Sequence, residues 1–360
     1  MMLSLTIVMY SILFVDLLML SLFIFNFKRY EPKAHTDMPV VSILIAAKDE
    51  EANVKRCLDS LLKLSYQQDK LEILIGNDAS EDKTLNIIKQ YAENFSNIKV
   101  LDITERVGLQ LGKANVLAQL AHQATGEYFL ITDADMLLPE HWVQSMLSSM
   151  KKNVGLSIGV THVEGNQMQD LDWLYALGMI KVVTDLGLPV TGMGNNMIIS
   201  KEAYDSVGGY ESLPFSITED FELFKQVKKK GYDCIHVFQK EVLGTTLSMK
   251  GFFNLLNQRK RWMRGAVQLS WQVVCLLILQ SGFYVGLLAL LFFIPNVAVF
   301  LLVGKLLLRL GFMTTLRNKL RLPFRFWSVV TYEFYAIAIG VSSILYFLLP
   351  FKVRWKGRTY

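Results

Sequence analysis

Cysteine is scarce in this 360-residue chain: Cys57, Cys234 and Cys275 stand far apart, and none forms a CxxC pair. That excludes a disulfide framework and a zinc knuckle, and scattered thiols suit a reducing, cytosolic setting. The five histidines (35, 122, 141, 162 and 236) show no metal-binding spacing either. No GxGxxG run follows the first apolar strand, and Gly192-Met193-Gly194 lacks the continuation, which disfavours a nicotinamide-binding Rossmann domain. Gly108 and Gly112 enclose only three residues, and Ala114 replaces the Ser or Thr after Lys113, so a P-loop is ruled out. There is no internal repeat, low-complexity tract or basic–aromatic stripe, and nucleic acid is not an expected partner.

Apolar residues, by contrast, make up 52% of the chain and gather at both ends. Residues 3–27 hold one charge, Asp16, and as a helix would span about 30 Å of hydrocarbon. Without a basic n-region or a small-residue cleavage site, residues 1–30 read as an uncleaved membrane anchor. Lys28, Arg29 and Lys33 follow it, so the positive-inside rule puts the N-terminus outside and the next domain in the cytoplasm, at a plasma (inner) membrane. The block 267–308 is too long for one crossing and short for two, with Gly282, Pro295 and Asn296 as candidate breaks. Residues 326–351 carry only Glu333, and an interfacial amphipathic helix would let the basic segments on either side share one face of the membrane. A lone carboxylate at mid-span is costly, and Lys305 is the candidate partner for Asp16.

Charge is divided as sharply. Residues 250–360 hold 15 Lys/Arg against one acid, and the remainder holds 22 against 31. A basic, apolar tail behind an acidic body fits attraction to an anionic membrane surface. The expected organisation is an anchor at 1–30, an α/β domain at 38–245, interfacial helices at 246–282, and a membrane region with a basic tail at 283–360.

Between 40 and 241, short β-branched runs alternate with amphipathic helices, which predicts a mostly parallel sheet covered on both faces. Val54, Leu58, Leu61 and Leu62 make one helical stripe, and Leu85, Ile88, Tyr91 and Ala92 another. Acidic motifs close three apolar runs: Lys48-Asp49-Glu50-Glu51 after 40–46, Asn77-Asp78 after 71–76, and Asp133-Ala134-Asp135 after 128–132. Ligands of open α/β sheets bind beyond the carboxyl ends of strands, so these motifs point to one cleft. Asp133 and Asp135 can converge, because alternate residues of an extended chain project to one side, and their hard oxygens suit Mg²⁺ or Mn²⁺. Asp78 could accept hydrogen bonds from a base or ribose, or close an Asx-turn or cap a helix. Lys113 could face a phosphate near a helix N-terminus. Asp220, in Thr218-Glu219-Asp220, could act as a general base or simply complement a helix dipole. Gln258, Arg261 and Trp262 are spaced i, i+3, i+4 on one helix face, with a guanidinium for diphosphate and an indole for a sugar ring. With Lys250, Arg259, Lys260 and Arg264 the same helix also reads as a membrane-surface element.

The ordered set resembles the family 2 glycosyltransferases of GT-A fold, in the membrane branch with the D, DxD, D, QxxRW signature. That branch includes ceramide glucosyltransferase and the cellulose, chitin and hyaluronan synthases. The likeness covers about 40–265 and extends to the final Arg354-Trp-Lys-Gly-Arg-Thr-Tyr. It implies an α/β nucleotide-diphospho-sugar transferase domain with N- and C-terminal transmembrane helices. Glu50 and Asp78 would contact the nucleoside, and Asp133 and Asp135 the metal and donor diphosphate. Asp220 would be the catalytic base, Glu219 would lie at the acceptor, and Gln258, Arg261 and Trp262 would close over diphosphate and acceptor. Lys113 would help neutralise the leaving group. Asn77, Ala46 and Lys48-Asp49 depart from the family pattern, where Asp, Pro and Arg-Asn are common. The implied reaction is inverting transfer of one sugar from a nucleotide-sugar, with UDP expected, to a membrane lipid or lipid-linked acceptor. A processive polysaccharide synthase and a non-enzymatic sugar-binding or scaffold protein are the alternatives.

Overall fold

The computed structural model describes residues 2–31 and 38–359; Lys33, His35 and Tyr360 lie outside the described residues. A long apolar helix, α1 (Met2–Phe25), leads into alternating elements. These are β1 (Val41–Ala47), α2 (Val54–Leu61), β2 (Leu71–Asn77), α3 (Thr84–Asn94), β3 (Ile98–Asp102), α4 (Lys113–Gln123), β4 (Tyr128–Asp133) and α5 (Trp142–Leu147). Then come β5 (Val154–Ile158), β6 (Val160–Glu164), α6 (Gln167–Asp185), β7 (Asn196–Ser200), α7 (Lys201–Ser206), α8 (Glu219–Lys229), β8 (Asp233–His236) and β9 (Leu243–Leu247). The chain closes with α9 (Phe252–Ala266), α10 (Trp271–Phe293), α11 (Pro295–Lys319), α12 (Phe326–Leu348) and a hairpin of β10 (Arg354–Trp355) and β11 (Arg358–Thr359).

Seven strands form one sheet in the order β3-β2-β1-β4-β7-β5-β8, and β6 pairs with β9 in a small parallel sheet. The strands β1 to β4 are parallel, as their continuous apolar runs predict for strands covered on both faces. Their register brings the strand ends level. Ala47 is opposite Asn77 and Ala46 opposite Asp133, so three acidic loops leave the sheet side by side. Strand β7 runs antiparallel to β4 and β5, pairing Asn196 with Thr132. The segment entering β7 therefore arrives beside the Asp133 loop.

Among the described residues, four helices, α1, α10, α11 and α12, are long and apolar enough to cross a membrane. The block expected to contain one or two segments breaks at Ile294, before Pro295, and α10 runs unbroken through Gly282. The expected boundary at 282/283 thus falls inside a helix. Glycine only weakens a helix, whereas proline lacks the N–H and stops it. Helices α1, α10 and α11 pack together around a polar triad. Lys305 Nζ lies 2.7 Å from both Asp16 Oδ2 and Gln280 Oε1, and Gln280 Nε2 donates to Asp16 Oδ1 at 3.1 Å. Asp16 thus has the partner expected for it.

Helix α12 sits differently. Its first half packs on α6, where the Tyr332 hydroxyl donates to Asp172 at 2.9 Å. Its second half packs on Leu255 and Leu256 of α9, and Lys260 Nζ donates to the terminal carbonyls of Tyr346 and Leu349 at 3.1 and 2.6 Å. Lys260 is consequently buried, and Arg259 pairs with Asp172, so neither is the membrane-facing cation that composition implied. Helix α6 also carries the membrane bundle. A side chain at Gly178 would meet the side chains of Phe312 and Leu316 of α11 at 2.7 Å and force them to shift, so glycine allows the close crossing. At the other end of α6, Lys181 Nζ donates to Asp185, to the carbonyl of Lys28 and to that of His236, joining α1, α6 and β8.

Candidate active site

The loops after β1 and β2 interlock. The N–H of Asp49 donates to Ser80 Oγ at 3.0 Å, and that of Glu81 to Asp49 Oδ1 at 2.9 Å. Asp49 and Ala79 adopt φ of 50° and 51° to make these turns, a conformation costing non-glycine residues about 1–2 kcal/mol. Asn77 Nδ2 donates to Asp102 Oδ1 at 2.8 Å, joining β2 to β3. An aspartate there would lose that donor and face a second carboxylate. Asp82 accepts from the first N–H of α3, so Asp78 is free of the capping role. Glu50 and Asp78 are both buried, and each holds a cation of the β10–β11 hairpin: Lys356 on Glu50 and Arg358 on Asp78.

Lys113 is the hub of the cleft. As the first residue of α4 it reaches across to pair with Asp133, stands 3.7 Å from Glu219 Oε1, and donates to the Gly194 carbonyl at 3.0 Å. Burial by itself would lower its pKa, but the charges of Asp133, Glu219 and Asp220 outweigh this and raise it, keeping the ammonium charged. Asp220 lies in the first turn of α8. Its Oδ2 accepts from Gly194 N and its Oδ1 from Phe221 N, both at 2.8 Å, which fixes the carboxylate's orientation. Glu219 is half-buried and turned towards Lys113. Burial raises its pKa, with Asp220 adding to the rise and Lys113 and Arg261 opposing it. A Cβ at Gly194 would crowd the site, sitting 3.0 Å from Lys113 Nζ and 3.2 Å from the Asp220 Cβ.

Asp133 and Asp135 flank the turn after β4. Thr246 of β9 donates to Asp135 at 3.1 Å. Burial pushes the Asp135 carboxyl up to about 6, with the charges of Asp133 and Glu50 reinforcing the effect. Among the described residues no three metal-binding side chains cluster, so a bound metal would rest on these two carboxylates. A crowded acidic pair of hard oxygens fits a small divalent ion whose other positions are filled by water and phosphate.

Helix α9 brings the last motif to the same place. A Cβ at Gly265 would touch Thr218, and the charge of Arg261 acts on Glu219. Gln258 and Arg261 are half-buried. Trp262 stacks on Trp173 of α6, with centroids 4.6 Å apart, and the Arg259 guanidinium carbon lies 4.7 Å from its ring. The free indole face expected of Trp262 is taken by Trp173, so the aromatic surface offered is that of the pair. Sequence reasoning missed Trp173, Gly194, Thr246 and the hairpin cations. Two of these carried a signal: the hairpin cations lie in the terminal Arg354-Trp-Lys-Gly-Arg-Thr-Tyr motif, and Gly194 lies where small and polar residues interrupt an apolar stretch.

Glycosyl transferase family 21 matches residues 2–360. The chain belongs to that family. This refines the resemblance carried by the motifs, which pointed to membrane glycosyltransferases of family 2. The family 21 chain is 25% identical over 252 residues to a beta-monoglucosyldiacylglycerol synthase of Trichormus variabilis, covering 67% of this chain and 52% of that one. It is 28% identical over 249 residues to a poly-beta-1,6-N-acetyl-D-glucosamine synthase of Staphylococcus epidermidis, covering 67% and 58%. The chain thus spans little more than half the length of these relatives. A mannosyltransferase of Pyrobaculum calidifontis, solved with GDP-Man and Mn²⁺, shares the fold at a TM-score of 0.61 and 18% identity, over 95% of this chain and 97% of that one.

Proposed function

We propose that this protein is an inverting, metal-dependent glycosyltransferase that moves one sugar from a nucleotide-sugar to a membrane lipid. The observation that carries this reading is the convergence on Lys113 of Asp133, Glu219 and Asp220, acidic groups from two separate motifs. Glu50 and Asp78 lie at the nucleoside end, and Asp133 and Asp135 would hold Mg²⁺ or Mn²⁺. When bound there, the ion supplies Lewis-acid neutralisation of the diphosphate. Asp220, oriented by the Gly194 and Phe221 amides, takes the proton of the acceptor hydroxyl as its oxygen attacks the anomeric carbon. The bond from the anomeric carbon to the diphosphate breaks and its electron pair leaves with the nucleotide. Lys113 and Arg261 are placed to stabilise that charge, with Gln258 beside them on α9. Glu219, given to the acceptor by resemblance, is assigned instead to holding those two cations.

For the acceptor, a cavity of about 370 Å³ lies between α9 and the apolar α12, lined by Gln169, Met249, Phe252, Leu255, Tyr335 and Ile339. It offers a lipid an apolar seat against α9, the helix that also carries Trp262. The relatives named for glucosyldiacylglycerol synthesis support a lipid acceptor, and those named for polymer synthesis supply the competing outcome. Helices α1, α10 and α11 are taken as three crossings and α12 as an interfacial helix, because it is docked along the α/β domain at both ends. That arrangement puts the α/β domain, the basic linker and the hairpin together on the cytoplasmic side of a plasma (inner) membrane, beside anionic lipid. Purified protein in nanodiscs, given radiolabelled UDP-, GDP- or dTDP-sugars, Mn²⁺ and lipid extract, should place label in the organic phase for one donor class. A high-molecular-weight, water-soluble product would favour the polysaccharide synthase, and no transfer from any donor would favour the non-enzymatic alternative.

A further inference from the structure

The hairpin after α12 lies across the donor cleft. Its turn, Lys356-Gly357, has φ of 48° and 73°, the paired left-handed geometry of a tight two-residue hairpin. Lys356 Nζ pairs with Glu50 Oε1 and donates to the Lys48 carbonyl at 3.3 Å. Arg358 forks onto Asp78, Nη1 to Oδ2 at 2.5 Å and Nη2 to Oδ1 at 2.8 Å. The carboxylates are nearly covered, at 10–11% side-chain exposure, while the two cations remain about one-third exposed. The hairpin therefore occupies the side chains expected to meet the nucleoside.

Val353 at the base of the hairpin is buried and β10 touches α9, but the hairpin itself is short. Its strands are two residues long, too short for a hairpin to be stable alone, and a lysine in the left-handed region is strained. It is also tethered close to the membrane. Only residues 349–353 separate it from the end of α12, at most about 17 Å of extended chain, and Leu348, Leu349 and Phe351 expose apolar surface at that junction. Lys352 and Arg354 add two further basic residues to the segment. A lysine or arginine close to an anionic bilayer is held there by roughly fivefold. The two cations that close the cleft are thus within reach of a second set of anionic partners.

We propose that the β10–β11 hairpin is an electrostatic plug with two alternative partners: Glu50 and Asp78 in the cleft, and the phosphates of an anionic lipid surface. Binding to anionic lipid draws Lys356 and Arg358 off the carboxylates and opens the nucleoside end, so the lipid composition of the bilayer sets donor access. The proposal rests on the reading of Glu50 and Asp78 as donor-side residues, but the displacement itself can be measured without any donor.

The test uses the full chain in nanodiscs of phosphatidylcholine alone or doped with phosphatidylglycerol. Hydrogen exchange of residues 353–359 and of the loops at 48–51 and 78–82 is followed without nucleotide. These segments should be protected in the neutral bilayer and exchange faster in the anionic one, and Lys356→Gln/Arg358→Gln should exchange fast in both. Binding of UDP, GDP and dTDP with Mn²⁺ is then compared. For whichever nucleotide binds, affinity should rise on the order of tenfold from neutral to anionic bilayers, and the double variant should be tight in both. Exchange unaffected by bilayer charge overturns the plug, as does weaker nucleotide binding by the double variant, which would make the two cations donor ligands. A lipid-dependent exchange shift with no nucleotide bound in any form keeps the displacement and removes the donor-site reading instead.

Discussion

The Asp16–Gln280–Lys305 triad sets a quantitative test of how α1, α10 and α11 are held together. Lys305 and Asp16 are 3% and 6% exposed, so water does not screen them, and their 2.7 Å separation corresponds to a gross attraction of about 6 kcal/mol at an effective dielectric near 20. Desolvation of both charges takes back much of that. Removing one partner is worse, because the survivor is left charged inside the bundle without its counter-ion, held by the Gln280 amide and, for Lys305, the Phe283 ring. Lys305→Met should therefore destabilise by about 3 kcal/mol, and Asp16→Asn by a similar amount. The double variant keeps an Asn–Gln hydrogen bond and buries no charge, so it should lose far less than the two single losses combined. A coupling energy of roughly 2–4 kcal/mol is expected, well above the ~0.6 kcal/mol typical of neutral interhelical hydrogen bonds. Equilibrium unfolding of the four proteins in one detergent measures it. Losses that add to within about 0.5 kcal/mol would refute the reasoning, since independent sites behave that way.

Asp220→Asn should lower transfer by roughly 10²–10⁴-fold while donor affinity, measured by calorimetry, stays within a few-fold; wild-type turnover would remove Asp220 from the role of base. Gly194→Ala should fold yet transfer at least tenfold more slowly, because its methyl group displaces Lys113 and Asp220 from a 3.0–3.2 Å approach; an unchanged rate would show that their placement is not critical. Burial holds the Lys181 ammonium down at about 8, against the pull of Asp185. Between about 8 and 10.5 the unfolded chain then binds this proton and the folded chain does not, so stability should rise with pH there by up to ~1.4 kcal/mol per unit. Melting in detergent across that window should show a slope that Lys181→Met flattens, and equal slopes would contradict the assignment.

Much of the fold could be read from the chain because its signals are local. The runs ending near Ala47, Asn77 and Asp133 are apolar and β-branched, so strand ends, and with them three acidic motifs, were located to within a residue. The Asp16–Lys305 pairing was legible for a related reason: an apolar segment leaves a charge few partners. What escaped depends on contacts distant in sequence. Nothing near Gly194 announces that β7 turns back antiparallel beside Asp133. Trp173 meets Trp262 only because α6 and α9 cross. Lys260 reads as a surface cation until α12 docks and presents its terminal carbonyls. The hairpin cations looked like more membrane-facing charge, since the pairs Lys356–Glu50 and Arg358–Asp78 join opposite ends of the chain.

The central claim is that a single sugar passes to a membrane lipid with inversion at the anomeric carbon. The most direct measurement is nuclear magnetic resonance of the organic-phase product made by the nanodisc-bound enzyme from a donor of known anomeric configuration. One sugar per lipid, with configuration opposite to that of the donor, is the predicted result. A retained configuration, or a sugar chain found only in the aqueous phase, would contradict it.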